Sequence, residues 1–341
     1  MTDTPACEAD ARLVEGLTRW MTQRKGVTGA RVDALSRPTA GYSSETVFVD
    51  VSWSGGQGRQ HGSWVLRMAP PTTGTFAHYR LVPQWEAQMA ASEVGVPVAD
   101  PGVETDTGWL GAEFMVMPRI DGHIIGGVVH RDPWLRGLDP SQRGGVFDSL
   151  LVALATIHRA DPASAPSVPR RDNAAELDFW EEYLSWSTHG RPVPVLTRAL
   201  QWCRAHRPAD ESAATLLWGD VRFENMILDD GGRPRAVLDW DMTSVGAPEH
   251  DLAWFTSLDF TMRALFGKRT EGFPDRRQTI ERFGELSGRP VLDLEWYETL
   301  AMVRSTAIMT RISVLRGESG QPVMLPIEDN PILDLVTERL T

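Results

Sequence analysis

Lysine and cysteine are both scarce in this chain of 341 residues. The 34 basic side chains are arginines, apart from Lys25 and Lys268. A cation that binds phosphate must therefore be sought among the arginines. The two cysteines, Cys7 and Cys203, lie far apart, and neither has a histidine at metal-ligand spacing. A disulfide framework and a structural zinc site are accordingly not expected.

An excess of positive charge is also missing. The formal net charge is -12, whereas general binding to nucleic acid needs a basic surface, so we expect no nucleic-acid partner. Hydrophobic residues make up 42% of the chain and charged residues 23%, which is typical of a globular protein. No early strand is followed by Gly-x-Gly-x-x-Gly, which argues against a nicotinamide dehydrogenase.

Long apolar runs are absent as well. No stretch of about 20 apolar residues could form a membrane span, and the acidic N-terminal segment does not resemble a secretory signal. We therefore expect a cytoplasmic protein without a membrane partner. The sequence does not indicate an oligomeric state.

The distribution of strand and helix patterns predicts an α+β protein with two lobes. Alternation over 47–51 and the apolar run 64–68 predict a hairpin, and 111–118 predicts a further buried strand. We place a small β-rich lobe, with an N-terminal helix, at 1–117 and a larger helical lobe at 118–341. Helices are predicted over 81–94, 141–159, 176–188, 194–206, 249–258, 276–287 and 293–316.

One motif in the larger lobe carries most of the chemical information. Asp220 and Asn225 are separated by four residues, and Asp239 follows a predicted hairpin turn at 229–232. Phosphoryl transfer needs a carboxylate at the acceptor hydroxyl and oxygen ligands for Mg²⁺. Asp220 suits the first task, and Asn225 and Asp239 suit the second. Each residue alone would be read as a turn, cap or strand-end residue, but their joint order and spacing favour the catalytic interpretation.

The residues around this motif resemble the aminoglycoside phosphotransferase superfamily. The resemblance rests on 217–225, on 237–241 and on 246–254, which reads Gly-Ala-Pro-Glu-His-Asp-Leu-Ala-Trp. It extends over about residues 30–320 and is greatest for the branch with kinase-like domains associated with acyl-CoA dehydrogenases. It implies a bilobal protein-kinase-like fold and an ATP- and Mg²⁺-dependent small-molecule kinase.

The resemblance also implies roles in the smaller lobe. Residues 41–46 correspond to the nucleotide loop, with Ser43 and Ser44 at the phosphates, although an ordinary polar turn would look the same. Arg67 stands where the family has its phosphate-binding lysine, and a planar guanidinium can bind two oxygens. Glu86 would be its ion-pair partner. Met115 and Met117 would flank the adenine edge, or form a plain buried strand.

Several residues near the motif allow two interpretations. Arg222 could neutralise phosphate charge in the catalytic site or pair with a neighbouring acid. Trp218 stands where many family members have histidine and could take over its packing role. His158 matches a family leucine-histidine element, but a satisfied core histidine is the commoner case. Asp251 is expected to anchor the loop that follows Asp239.

The acceptor hydroxyl belongs to a small molecule that the sequence does not identify. An aminoglycoside would need carboxylates, which Glu176, Asp178, Glu181 and Glu182 could supply, unless they form a solvated helix face. A hydroxyacyl thioester would need cations such as Arg170 and Arg171, which could also be ordinary surface charges. The alternative from another class is a catalytically silent nucleotide-binding pseudokinase that acts as a sensor or scaffold.

Overall fold

The computed structural model describes residues 4–38, 44–55, 58–70, 74–267, 269–323 and 330–340. These residues form two compact units. The smaller unit comprises 1–85 and 99–120, and the larger comprises 86–98 and 121–341. The helix at 81–93 contributes to both, so the division does not coincide with a single point along the chain.

The smaller unit is built on an antiparallel five-stranded sheet. Its strand order is β1-β2-β3-β5-β4. The helix α1 covers one face and buries Leu17 against Val47 and Val49 of β2 and Leu66 of β3. The elements are α1 (Thr4–Arg19), β1 (Thr28–Ser36), β2 (Glu45–Gly55), β3 (Gly58–Met68), α2 (Leu81–Glu93, which runs into the larger unit), β4 (Gly102–Glu104) and β5 (Phe114–Pro118).

The larger unit is mainly helical and carries two short two-stranded ladders. β6 pairs with β9, and β7 pairs with β8. The long helix α9 packs along α7 and also contacts α5 and α6. The elements are α3 (Pro133–Gly137), α4 (Pro140–Ile157), α5 (Asn173–Ser187), α6 (Pro194–Ala205), β6 (Thr215–Leu217), β7 (Met226–Leu228), β8 (Pro234–Val237), β9 (Ser244–Gly246), α7 (Glu249–Phe266), α8 (Arg276–Ser287), α9 (Leu294–Glu318) and α10 (Pro331–Arg339).

This arrangement confirms the predicted α+β fold, with a small β-rich lobe and a larger helical one. β1 was not predicted from the sequence, because its hydrophobic pattern is weak and only Ala30, Val32 and Leu35 are partly buried. It also ended α7 at 258, although the helix continues to Phe266 and ends at Gly267, which has a φ of 71°. Among the described residues, no helix combines the length and apolarity that a membrane crossing requires.

Candidate active site

The turn between β6 and β7 brings Asp220 and Asn225 into direct contact. The Asn225 Nδ2 atom donates to the backbone oxygen of Asp220 at 3.0 Å and to its Oδ2 atom at 2.8 Å. Since both acceptors are oxygens, the amide nitrogen must face them. The side-chain Oδ1 atom of Asn225 is therefore the atom that can serve as a hard metal ligand.

Asp239 is brought to the same place by the second ladder. β8 pairs with β7, and the backbone N–H of Leu238 donates to the backbone oxygen of Asn225 at 2.8 Å. Asp239 then adopts a φ of 57°, a left-handed conformation that is uncommon outside glycine and is found at functional sites. Its charge acts on Asp220, whose pKa it raises. The three residues predicted from spacing therefore form one cluster.

The Asp220 carboxylate is mostly buried and is held on both oxygens. Burial raises its pKa above the ordinary aspartate value, and the nearby Asp239 adds to that effect. Arg222, Asn225 and Trp254 favour the charged form and lower the pKa. The Trp254 indole N–H donates to Oδ1 at 2.9 Å. The side chain remains 14% exposed, so an acceptor group can still reach it.

Arg222 lies beside Asp220, with its Nε atom 3.4 Å from Oδ2. The charges of Asp220, Glu224 and Asp239 raise the pKa of Arg222 against the opposing effect of its burial. Of the two interpretations left open by the sequence, pairing with a neighbouring acid describes this state. With 43% of its side chain exposed, Arg222 can also reach a ligand at the same place.

Asp251, at the start of α7, fixes the backbone that precedes Asp220. Its carboxylate accepts hydrogen bonds from the backbone N–H groups of Trp218 and Gly219, both at 2.8 Å. The expectation that it anchors the loop after Asp239 is therefore corrected, because it holds the turn before Asp220. His158 bonds to the same carboxylate at 3.0 Å and is buried, which matches the core-histidine interpretation.

Trp218 ties the two halves of the site together. It is fully buried, and its indole N–H donates to the backbone oxygen of Leu238 at 2.8 Å. The tryptophan thus links the turn that carries Asp220 to the residue that precedes Asp239. This is the packing role suggested for it in place of the usual histidine.

Of the residues assigned to nucleotide binding by resemblance, Ser44, Arg67, Met115 and Met117 lie in the smaller unit and Glu86 lies in the larger one. Ser43 lies outside the described residues. The Arg67 guanidinium donates to the Ser44 hydroxyl at 3.2 and 3.3 Å, and Arg67 is paired with Met115 in the register of β3 and β5. Met115 and Met117 are both buried. Their assignment to ATP stays a prediction.

Glu86 has a different contact from the one expected. Its carboxylate accepts hydrogen bonds from the backbone N–H of Ser167 at 2.6 Å and from the Ser167 hydroxyl at 2.9 Å. It belongs to the larger unit and Arg67 to the smaller one. An ion pair between Arg67 and Glu86 therefore stays a prediction.

The donor set around Asp220 suits Mg²⁺ better than a metal held by protein alone. Among the described residues, no group of three or more His, Cys, Asp and Glu side chains could hold a metal ion. Asn225 and Asp239 together offer one amide and one carboxylate oxygen donor. Mg²⁺ commonly binds one or two such groups and takes its other ligands from water and substrate phosphates. The residues present fit that pattern.

The sequence also matches a known protein family over most of its length. Residues 34–285 match the model of the phosphotransferase enzyme family. The chain therefore belongs to that family, and it shares its fold with solved structures of kinase-like phosphotransferases. The resemblance noted in the sequence is confirmed at this level.

The individual relatives are distant. Human acyl-CoA dehydrogenase family member 11 is 25% identical over 260 residues, which cover 74% of this chain and 32% of that protein. This chain thus spans about a third of the length of that relative. A candidate aminoglycoside phosphotransferase from Ralstonia eutropha superposes with a TM-score of 0.70 at 20% identity, covering 96% of this chain and 97% of the other. The macrolide 2'-phosphotransferase MphH from Brachybacterium faecium gives a TM-score of 0.54 at 18% identity, covering 96% and 98%.

Proposed function

We propose that this protein is an ATP-dependent kinase that transfers the γ-phosphoryl group to a hydroxyl of a small molecule. The observation that carries the proposal is the contact of Asn225 with Asp220, and of Leu238 with Asn225, which gathers the three motif residues at one point. Membership of the phosphotransferase family supports the reaction class. The chemical class of the acceptor is a separate part of the proposal.

In this mechanism Asp220 orients the acceptor hydroxyl and takes its proton as the oxygen attacks phosphorus. The bond from the γ-phosphorus to the bridging oxygen breaks, and ADP leaves with that oxygen. Asn225 donates to the Oδ2 atom of the carboxylate, which limits the reorientation of the group during the reaction. Arg222 offers positive charge at the same place.

Asn225 and Asp239 would hold Mg²⁺, which neutralises charge on the ATP phosphates when it is bound. Ser43, Ser44 and Arg67 would contact those phosphates, and Met115 and Met117 would flank the adenine. The arginine in place of lysine suits a phosphate because its guanidinium presents two parallel donors.

Most of the charged residues considered for the acceptor have other partners. Glu176 is buried and pairs with Arg171, so neither side chain is available for an external ligand. Asp178 and Glu181 share Arg204. The interpretation of Glu176 as part of a solvated helix face is wrong, because the residue is buried. Three of the four carboxylates suggested for a polycationic acceptor are already paired with arginines.

A cavity of about 110 Å³ in the larger unit offers a different acceptor environment. Arg222, which lies beside Asp220, lines it together with Glu224, and Phe223, Phe255 and Phe273 form part of its wall. The Phe223 ring contacts both the Phe255 ring and the Phe273 ring, so that wall is well packed. This lining supports an acceptor with an apolar part next to its hydroxyl, that is, a hydroxylated metabolite rather than an aminoglycoside.

The acceptor is tested by a phosphotransfer screen with Mg²⁺ and ATP or GTP, read by mass spectrometry. The panel holds aminoglycosides, macrolides, hydroxyacyl thioesters, sugars and amino alcohols. We expect phosphorylation of an acceptor that carries an apolar chain or ring. Exclusive phosphorylation of aminoglycosides would contradict the proposed acceptor and leave the reaction class intact.

The catalytic base is tested by Asp220→Asn, which keeps the shape of the side chain and removes its charge. General-base assistance is typically worth ~10²–10⁴-fold, so we expect a loss of that order in kcat with ATP binding retained. Asp178→Asn, on the exposed face of α5, is the matched control and should keep the parental kcat. Parental turnover in Asp220→Asn would show that another group is the base.

The metal ligands are tested by Asp239→Ala, followed by calorimetric titration with ATP in the presence and absence of Mg²⁺. We expect the Mg²⁺-dependent part of ATP affinity to disappear. Asp230→Ala changes a fully exposed aspartate of the turn between β7 and β8 and serves as the control. Unchanged Mg²⁺ dependence in Asp239→Ala would show that Asp239 is not a metal ligand.

The alternative function has its own test in the parental protein. If that protein binds Mg²⁺-ATP but neither transfers the phosphoryl group nor hydrolyses ATP, the result would favour the silent pseudokinase.

A further inference from the structure

Trp254 has a contact that its position in the motif did not foretell. It lies three residues after Asp251 on α7, so both side chains point toward the same side of the helix. Asp251 holds the backbone before Asp220, while the Trp254 indole N–H donates to the Asp220 Oδ1 atom at 2.9 Å. One helix therefore fixes both the backbone and the side chain of the proposed base.

The indole is suited to this contact because it is a donor only. It can stabilise the carboxylate, but it cannot accept the proton that Asp220 takes from the acceptor. Asn225 occupies Oδ2 in the same way. Each carboxylate oxygen has room for more than one hydrogen bond, so both donors leave capacity for an acceptor hydroxyl.

Trp254 is itself held in place by a buried cation. The Arg304 guanidinium of α9 lies 5.0 Å from the centre of the Trp254 ring and 5.2 Å from that of Trp180. Arg304 is only 4% exposed, and the Glu176 carboxylate lies 3.7 Å from its Nη1 atom. We call Trp254, Arg304, Glu176 and Trp180 the support column.

Hydrogen bonds and ion pairs to the Glu176 carboxylate connect the members of the support column. The Trp180 indole donates to the Glu176 Oε1 atom at 2.8 Å, and Arg171 binds the other carboxylate oxygen. Three helices, α5, α7 and α9, contribute side chains to it. A flat ring between packed neighbours has few alternative rotamers, so the Trp254 N–H is aimed at Asp220 before any substrate arrives.

We infer that Trp254 is a positioning residue for phosphoryl transfer: its indole N–H, backed by the support column, holds the Asp220 carboxylate in the orientation that engages the acceptor hydroxyl. The inference rests on the proposed function and adds a residue to which no role has been given. It requires that Trp254 act through Asp220 and not through ATP binding or the stability of the fold.

The kinetic test is Trp254→Phe, which keeps a buried ring and removes the donor. Hydrogen bonds to charged groups are among the stronger ones, so kcat should fall roughly ten- to a hundredfold, with the KM for ATP unchanged. The acceptor is the one found in the screen, or water if only ATP hydrolysis is seen. Trp296→Phe is the matched control, because that indole is equally buried and donates to the backbone oxygen of Cys203 at 2.8 Å.

A double-mutant cycle separates positioning from a structural role. If Trp254 acts through the carboxylate, Trp254→Phe should have little further effect in the Asp220→Asn background. Independent losses that multiply would overturn the inference, and so would a parental kcat in Trp254→Phe. A fall in kcat equal to that of Trp296→Phe would assign the effect to packing and would also overturn it.

A spectroscopic test of the same contact does not depend on measuring turnover. The Trp254 indole ¹H–¹⁵N resonance, assigned through its loss in Trp254→Phe, should move upfield in Asp220→Asn because the charged acceptor is gone, while the Trp296 resonance stays in place. If the parental enzyme phosphorylates nothing, the proposed function fails by itself. If the chemical shift of the Trp254 resonance does not change in Asp220→Asn, the inference is overturned even in an active enzyme.

Discussion

At the scale of single residues, the candidate site depends on close backbone approaches as much as on charged groups. Gly219 has a φ of 93°, and a Cβ atom there would lie 2.3 Å from the Met242 backbone oxygen. The turn before Asp220 therefore packs directly on the loop after Asp239. Only glycine satisfies both the backbone conformation and the space.

Because of this close contact, Gly219→Ala should disrupt the site more than the backbone strain alone would. Gly95→Ala is the control, because Gly95 has the same φ of 93° and no atom within 4 Å of an added Cβ. The strain alone should cost about 1–2 kcal/mol in Gly95→Ala. Gly219→Ala should cost clearly more in urea unfolding and should lower kcat. If the two variants lose the same free energy of unfolding, the backbone near Met242 can move aside at little cost.

The site also shows which residues a sequence can reveal. Asp220, Asn225 and Asp239 were predicted because their chemistry and spacing along the chain are both informative. Trp254 was part of the quoted motif but received no role, because its contact with Asp220 depends on how α7 packs against the turn. Its position three residues after Asp251 was the available signal.

At the scale of elements, buried charge joins helices that are far apart in sequence. Glu176 on α5 contacts Arg304 on α9 and also Arg171, which precedes α5. Those two cations and His250 hold the pKa of the Glu176 carboxyl well below its ordinary value despite its burial. A carboxylate in this setting compensates cations that water does not reach.

Glu176→Gln should therefore destabilise the protein strongly. Removing one partner of a buried ion pair typically costs about 3–5 kcal/mol, because the remaining charge is left uncompensated. Asp178→Asn on the same helix removes an exposed partner of Arg204 and should change stability by about 1 kcal/mol or less. Urea unfolding at neutral pH measures both. A Glu176→Gln variant as stable as Asp178→Asn would mean that Arg171 and Arg304 find other partners.

Long helices and turns with clear end signals were predicted well, whereas the weakly patterned strand β1 was not. The hairpin turn at 229–232 is confirmed, since the Gly232 N–H donates to the Asp229 carbonyl oxygen at 2.9 Å. The burial of Glu176 could not be predicted, because a carboxylate is normally solvated and its compensating Arg304 lies 128 residues further along the chain. Tertiary packing, not local pattern, decides such cases.

At the scale of the whole molecule, acid should weaken the larger unit through a buried neutral histidine. His250 is 3% exposed, and its Nε2–H donates to the Asn173 Oδ1 atom at 2.9 Å. Burial lowers its pKa to about 4, and Arg304 and Arg171 act in the same direction. Glu176 and Asp251 oppose the shift without overcoming it.

The sign of the effect follows from proton binding. Between the unfolded histidine pKa near 6.5 and the folded value of about 4, the unfolded chain binds more protons, so stability falls as the pH falls through that window. From pH 7.5 to pH 5 the contribution of His250 to stability should fall by about 2 kcal/mol.

His250→Gln can keep a donor toward Asn173 and cannot titrate. It should lose less stability over this range than the parental protein, whereas His189→Gln, at an exposed histidine, should follow the parental protein. Urea unfolding at the two pH values measures the difference. If parental and His250→Gln proteins lose stability in parallel, another group must control the acid response of the larger unit.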